Sequence, residues 1–299
     1  MKKIVTLLFL LSSIILQAAV IEGENGPDCH WTLDTETGVF TLSGTALRWK
    51  SDSTNSLPWY DHLAEIETLV VDSSVTYLGS WGFAGAENLK EVFLPDSICH
   101  VGAGVFYNCP RIASPIYSDS VFIYMPTASE GAYSLPSGPK RIADGAFYGC
   151  NRLSVIRVPD SYIELGNYTF YHCSSLVNII VRGPIEEIGN STFEECGNLR
   201  SFHFENVKKI GDQAFLGCTS LTTVDLPENF VRIGKKAFEL CSELTTLRCP
   251  ASIEYIGEQA FRYCDGIKTV NIPNESCKIG KGAFPMTTVI THKHAKKRQ

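Results

Sequence analysis

One phenylalanine returns through this chain at a nearly constant interval. Phe83, Phe106, Phe147, Phe170, Phe193, Phe215, Phe238, Phe261 and Phe284 lie 23, 41, 23, 23, 22, 23, 23 and 23 residues apart. A unit of that length is too short to bury its own apolar face, so it must be covered by copies of itself. The period therefore requires a stack of equivalent coils rather than a globular core.

The residues around each phenylalanine define the coil. Ile210-Gly-Asp-Gln-Ala-Phe215, Ile233-Gly-Lys-Lys-Ala-Phe238, Ile256-Gly-Glu-Gln-Ala-Phe261 and Ile279-Gly-Lys-Gly-Ala-Phe284 are four copies of one phrase. Three residues after most of the phenylalanines comes a cysteine: Cys109, Cys150, Cys173, Cys196, Cys218, Cys241 and Cys264. Three residues later an apolar run opens, as in Leu221-Thr-Thr-Val224-Asp-Leu226-Pro227. Its alternation predicts a strand with one buried face, ended by a proline that cannot continue a ladder. Val224, Leu226, Ile233, Ala237 and Phe238 are expected to point into the shared core, with small Gly and Ala positions letting neighbouring backbones approach. The predicted fold is a β-rich leucine-rich-repeat solenoid. It is a right-handed coil of about 23-residue repeats, with a parallel sheet on one face and an N-terminal β-hairpin cap.

The 41-residue interval fits this scheme as one shortened coil at about 113–141. Tyr133-Ser134-Leu135-Pro136 stands where a strand is due before Ile142, a previous strand fits 112–117, and 121–125 replaces the Phe–Cys segment. Ahead of the first full unit, Trp31-Thr-Leu33 and Val39-Phe-Thr-Leu42 flank Asp34-Thr-Glu-Thr-Gly38 as a β-hairpin. Open solenoid ends need covering, so 20–65 reads as the N-terminal cap, with Pro58-Trp59-Tyr60 packed over the first coil. The solenoid runs over 66–291, and 292–299 is a basic tail. Lys2 and Lys3, a short apolar stretch and the small Ala18 and Ala19 read as an export signal over 1–19. The stretch is too short to span a bilayer comfortably, and no later run reaches spanning length. A formal charge of −6, lacking any basic excess, argues against a nucleic-acid partner.

The phrase Ile-Gly-x-x-Ala-Phe-x-x-Cys-x-x-Leu-x-x-Val-x-Leu-Pro resembles the BspA-like leucine-rich-repeat family over about 66–284. Trp31-Thr-Leu-Asp, Thr41-Leu-Ser-Gly44 and Pro58-Trp-Tyr60 also look like that family's N-terminal region, and the shortened coil has its counterpart there. The resemblance implies an exported protein of a host-associated bacterium or a protist. It also implies an adhesin-like role toward extracellular-matrix proteins or other cells.

With that resemblance, the sequence reads as a secreted or cell-surface interaction protein that performs no catalysis and uses no cofactor. Its expected partner is an extracellular protein or glycan, bound by a monomer through the exposed sheet face. Taken coil by coil, the outward position between the last two buried strand residues is Val70, Phe93, Ile116, Ser134, Arg157, Ile180, His203, Asp225, Arg248 and Asn271. These are expected to form one continuous column, apolar toward the N-terminus and mixed in charge beyond. Within it Phe93, Arg157, Ile180, His203, Asp225, Arg248 and Asn271 are the candidate contacts, since aromatic and arginine side chains anchor interfaces. A passive structural solenoid of the envelope or matrix is the alternative.

Other constellations have plainer explanations. Ser201, His203 and Asp225 are the residue types of a serine hydrolase. A Ser-x-His spacing on a flat strand, however, offers no nucleophile turn and no oxyanion donors. Seven of eleven cysteines share one ladder position. Stacking at roughly 4.8 Å places their Cβ atoms beyond disulfide range, so they are expected to be buried free thiols. Spacing leaves open whether Cys29, Cys99, Cys249 and Cys277 include a bridge. No Cys-x-x-Cys or similar ligand cluster predicts a metal. Asn167, Asn190 and Asn274 begin glycosylation sequons, although Asn167 and Asn190 share a turn position where Asn is favoured for backbone reasons.

Overall fold

Each apolar run becomes a short strand with alternate residues inside, as in Thr223–Asp225, where Val224 is fully buried between exposed neighbours. Stacked in parallel, such strands build a β-solenoid of about ten coils. The computed structural model describes residues 19–25, 28–44 and 57–292. Apart from Ala19 and His292, the export signal and the basic tail therefore lie outside the described residues.

Three kinds of ladder join neighbouring coils, each in segments along the stack. The first is the sheet face, where strands such as Leu153–Val158, Asn178–Val181 and Ser201–His203 pair in parallel. The second is made by the two-residue strands ending in the isoleucine of Ile-Gly, with Ile210, Ile233, Ile256 and Ile279 in register. Backbones meet closely beside it, so a Cβ at Gly234 would collide with the carbonyl carbon of Gly211.

The third ladder surrounds the phenylalanine. Residues two before and two after it adopt left-handed φ, including Gln213 (58°), Lys236 (55°) and Leu240 (64°). Alternating right- and left-handed backbone turns every second N–H toward the following coil. Gln213, Phe215 and Gly217 thus donate to the carbonyls of Lys235, Ala237 and Glu239 at 2.7–2.9 Å. Left-handed conformation costs an ordinary residue roughly 1–2 kcal/mol. Here it places donors that burial would otherwise leave unpaired.

The phenylalanine rings stack along the axis at the coil spacing. Phe193, Phe215, Phe238, Phe261 and Phe284 follow one another at 5.0–5.1 Å, with interplanar angles of 4–16°. Each ladder cysteine has a definite partner: except at Cys150, beside the shortened coil, its thiol donates to the carbonyl of the phenylalanine one coil earlier. Cys196 donates to Phe170 at 3.0 Å, Cys218 to Phe193 at 3.1 Å and Cys241 to Phe215 at 3.2 Å. The position thus needs a small, apolar side chain with a weak donor, which is what cysteine supplies.

The N-terminal end is closed. Cys29–Asp34 and Val39–Gly44 form the hairpin, an additional strand Val20–Glu24 pairs outside it, and Val39–Gly44 leads in parallel into Thr68–Val71. Trp59 is fully buried, 5.4 Å from Phe40 and 5.9 Å from Phe83, and its indole N–H donates to the Gly82 carbonyl at 2.9 Å. It is the first ring of the stack.

The shortened coil differs from its sequence-based expectation in one respect. The strand expected over 112–117 is reduced to Ile116–Tyr117, which turns away from the sheet and pairs antiparallel with Val121–Tyr124. Pro115 explains this. It falls where a coil of regular length would place the equivalent of Val92, and it has no N–H for the ladder. Val121 and Phe122 then pair with Arg141 and Ile142, Phe122 stacks on Phe147 at 5.1 Å, and the Met125 carbonyl accepts the Cys150 thiol at 3.5 Å. One five-residue stretch so replaces both the Ile-Gly strand and the Phe–Cys segment.

Candidate interaction face

The predicted column exists in three pieces. Val70 pairs with Phe93, Ser134 with Arg157, Arg157 with Ile180 and Ile180 with His203. Asp225 pairs with Arg248, and Arg248 with Asn271. All seven candidate contacts are exposed. Ile116 leaves the column: it is buried, and its neighbour Tyr117 is exposed instead. The expected continuity therefore fails twice, between Phe93 and Ser134 and again between His203 and Asp225, whose strands belong to different sheets. The second break coincides with Phe202, a bulkier residue than Ile179 or Val224 at the same inward position, whose ring stacks on Phe215 at 4.4 Å.

That second break also separates the residues of the hydrolase alternative. His203 Nε2 lies 3.9 Å from Glu205 Oε1, and Asp225 accepts from Arg248 Nη1 at 3.1 Å. Ser201, His203 and Asp225 are all exposed on the sheet, with Asp225 engaged elsewhere.

The first break has a different consequence. Where Pro115 pulls the chain off the sheet, the Glu91–Phe93 strand keeps a partner on one edge only. A cleft of about 600 Å³ opens between residues 90–94 and 112–117. Phe93 is 57% exposed and Tyr117 is 50% exposed, both on its lining. Lys90, also on the lining, bonds Glu67 at 2.6 Å and holds that carboxyl below its usual range. The cleft thus combines two aromatic side chains, a charged rim and an open strand edge. Tyr117 escapes a column count because it sits one position out of phase, but Pro115 inside an apolar run was its visible signal.

The remaining candidates are occupied by the scaffold. All eleven cysteines are free thiols. Burial pushes Cys109 and Cys150 up to about 12, and raises Cys173, Cys196, Cys218 and Cys241 as well. Asn167 and Asn190 belong to a ladder of side-chain acceptors. Asp144 accepts from the Asn167 N–H, Asn167 from that of Asn190, and Asn190 from that of Asp212, each at 2.8 Å. Their sequon partners Thr169 and Thr192 are fully buried and donate to Gly166 and Gly189. Asn274 Nδ2 likewise donates to the Ile253 carbonyl at 2.8 Å. Among the described residues there is no cluster of three or more potential metal ligands, and no helix is long and apolar enough to cross a membrane.

Comparison with known proteins agrees with this architecture. No curated protein matches the sequence. A leucine-rich repeat protein from Bacteroides ovatus is similar in structure, with 24% identity over 76% of this chain and 69% of its own, and a TM-score of 0.52. A leucine-rich repeat protein of T. pallidum is 26% identical over 57% of this chain and 77% of its own, with a TM-score of 0.47. The pneumococcal vaccine antigen PcpA is 17% identical over 76% of this chain and 62% of its own, with a TM-score of 0.46. The family model for the BspA type leucine rich repeat region (6 copies) matches residues 59–128, 127–208 and 186–297. With the repeat phrase, the stacked phenylalanines and that match in agreement, the chain belongs to the BspA-type leucine-rich-repeat family.

Proposed function

We propose that this chain is an exported, non-catalytic interaction protein that binds an extracellular protein through its sheet face, with the cleft beside Phe93 as the primary contact. The observation that carries this reading is the open edge of the Glu91–Phe93 strand, flanked by the exposed rings of Phe93 and Tyr117. An unpaired strand edge offers a partner main-chain hydrogen bonds, and neighbouring aromatics offer area that is costly to leave in water. Arg157, Ile180 and His203 extend the same face on one contiguous sheet, and Asp225, Arg248 and Asn271 lie on the next. Export is supported by the signal-like 1–19 segment, and the adhesin-like role by the family resemblance.

The test is a binding screen of the chain without residues 1–19 against purified extracellular-matrix proteins. Any protein found to bind is then titrated with Phe93→Ala/Tyr117→Ala. The expected result is saturable binding weakened about tenfold or more in that variant. Failure to bind across the panel, or binding unchanged in the variant, overturns the proposed face and favours the passive structural solenoid.

A further inference from the structure

Aromatic side chains also gather on the phenylalanine-turn side of the coils, outside the core and away from the sheet. Trp81 meets Tyr107 edge to face at 5.7 Å, Tyr107 meets Tyr148 at 5.0 Å, Tyr148 stacks on Tyr171 at 4.8 Å, and Tyr168 closes the band at 6.0 Å from Tyr171. Tyr107 and Tyr168 are each 42% exposed. Core packing does not require these rings. The positions of Tyr148 and Tyr171 are filled by Glu194, Leu216 and Glu239 in the coils that follow, with the inner phenylalanine stack unchanged.

The band borders a groove of about 500 Å³ that runs from Trp81 to Gln213. Its lining comes from six successive turns, a span of roughly 24 Å at the usual strand spacing. The floor is backbone. The Trp81 indole fills the space that a side chain at Gly104 would need, and a Cβ at Gly145 would point at the Gly104 N–H from 3.3 Å. That N–H has no acceptor among the described residues, because the shortened coil interrupts the third ladder. Trp81, Phe83 and Gly85 donate to the next coil, whereas Gly104, Phe106 and Asn108 do not. Glycine at 145 lets the two backbones approach here, and both glycines are buried beneath the rings. The far end of the groove carries Ser191, Glu194 and Gln213, and no lysine or arginine lines it.

We infer that this groove is a second binding site, for a neutral oligosaccharide of several sugar units. Sugar rings present weakly positive C–H faces that pack on the negative faces of aromatic rings, and hydroxyls that pair with amide, carboxylate and peptide groups. The groove alternates these two kinds of surface along its length. Its one charged group is a carboxylate, which repels anionic polysaccharides and provides too little charge for a polycation. The site is independent of the sheet face, so either proposal can fail alone.

The test uses the chain without residues 1–19. It is titrated with cellohexaose, mannohexaose, xylohexaose and chitohexaose, with a heparin-derived hexasaccharide and hexalysine alongside. Binding is read by calorimetry and, in a Trp49→Phe background, by tryptophan fluorescence: Trp81 is half-exposed, Trp31 and Trp59 are buried, and Trp49 lies outside the described residues. One or more neutral hexasaccharides should bind and perturb the fluorescence. Binding should weaken at least about fivefold in Tyr171→Ala and in Trp81→Ala, and be unchanged in Phe93→Ala. Tyr168→Ala, at the edge of the band, serves if either variant melts below the parent. The inference is overturned if no neutral hexasaccharide binds, if heparin or hexalysine binds instead, if the groove variants bind like the parent, or if Phe93→Ala abolishes binding.

Discussion

The coils from 209 to 284 and the stretch from 90 to 148 are built from the same phrase, yet they present different surfaces. In the first, rings stack at 5.0–5.1 Å and the Ile-Gly strands pair in unbroken register. In the second, Pro115 and the lost Phe–Cys segment break the sheet and the third ladder together. The sheet-face cleft lies wholly there, and the turn-side groove passes through it. A repeat repaired at every position satisfies its backbone and leaves little for a partner. A single defect leaves a strand edge open and the rings of Phe93 and Tyr117 exposed beside it.

The contrast should appear most strongly in the core. Phe238 sits between parallel rings at 5.0 and 5.1 Å, so Phe238→Ala should cost about 3–5 kcal/mol in urea denaturation. Phe106 has looser neighbours, Phe83 at 6.0 Å and Tyr124 edge-on at 5.9 Å. Phe106→Ala should fall at the lower end of that range, and the reverse order would dissolve the distinction. Alkaline pH probes the thiols. Cys109 and Cys150, which flank the defect, are pushed up to about 12 by burial, whereas unfolded thiols ionise near 8.5. The folded chain therefore holds protons that the unfolded chain releases. Stability is intact below about pH 8.5 and falls as pH rises toward 12, by about 1.4 kcal/mol per unit for each such thiol. Melting curves of Cys109→Ala/Cys150→Ala should fall less steeply over that window, and parallel curves would contradict the assignment. Cys218→Ala, in the regular stack, removes a thiol donor and leaves a small void. It should cost about 1–2 kcal/mol at neutral pH in the same denaturation assay.

Much of this was legible in the residues. The phenylalanine period predicts the stack, the strand phrase predicts the parallel sheet, and Trp59 reads as a covering residue because it precedes the first coil. Pro115 is legible too, but the strand periodicity around it points Ile116 outward, whereas the missing N–H turns the chain and buries it. Other features have no local signal. Left-handed backbone at Trp81, Tyr168 and Leu240 runs against the preference of bulky side chains, and only the inter-coil N–H ladder compensates for it. The donation from each cysteine to a carbonyl one coil away is likewise a property of stacking. The cleft and groove arise where two such patterns fail, which no period can announce.

Two milder perturbations act on the defect itself. Pro115→Val restores an N–H where the strand was lost. It should change stability by no more than about 0.5 kcal/mol, and should narrow the cleft enough to weaken any sheet-face partner. Arg248→Ala, which removes an exposed pair with Asp225, should leave the melting temperature unchanged.

The most direct measurement compares two double variants against one partner protein from the matrix screen. Phe93→Ala/Tyr117→Ala alters the defect, and Arg248→Ala/Asn271→Ala alters the regular sheet at two positions that are also exposed. The account predicts a loss of about tenfold or more in affinity for the first and less than about twofold for the second. Equal losses, or a larger loss for the Arg248/Asn271 pair, would contradict the claim that binding resides where the repeat breaks.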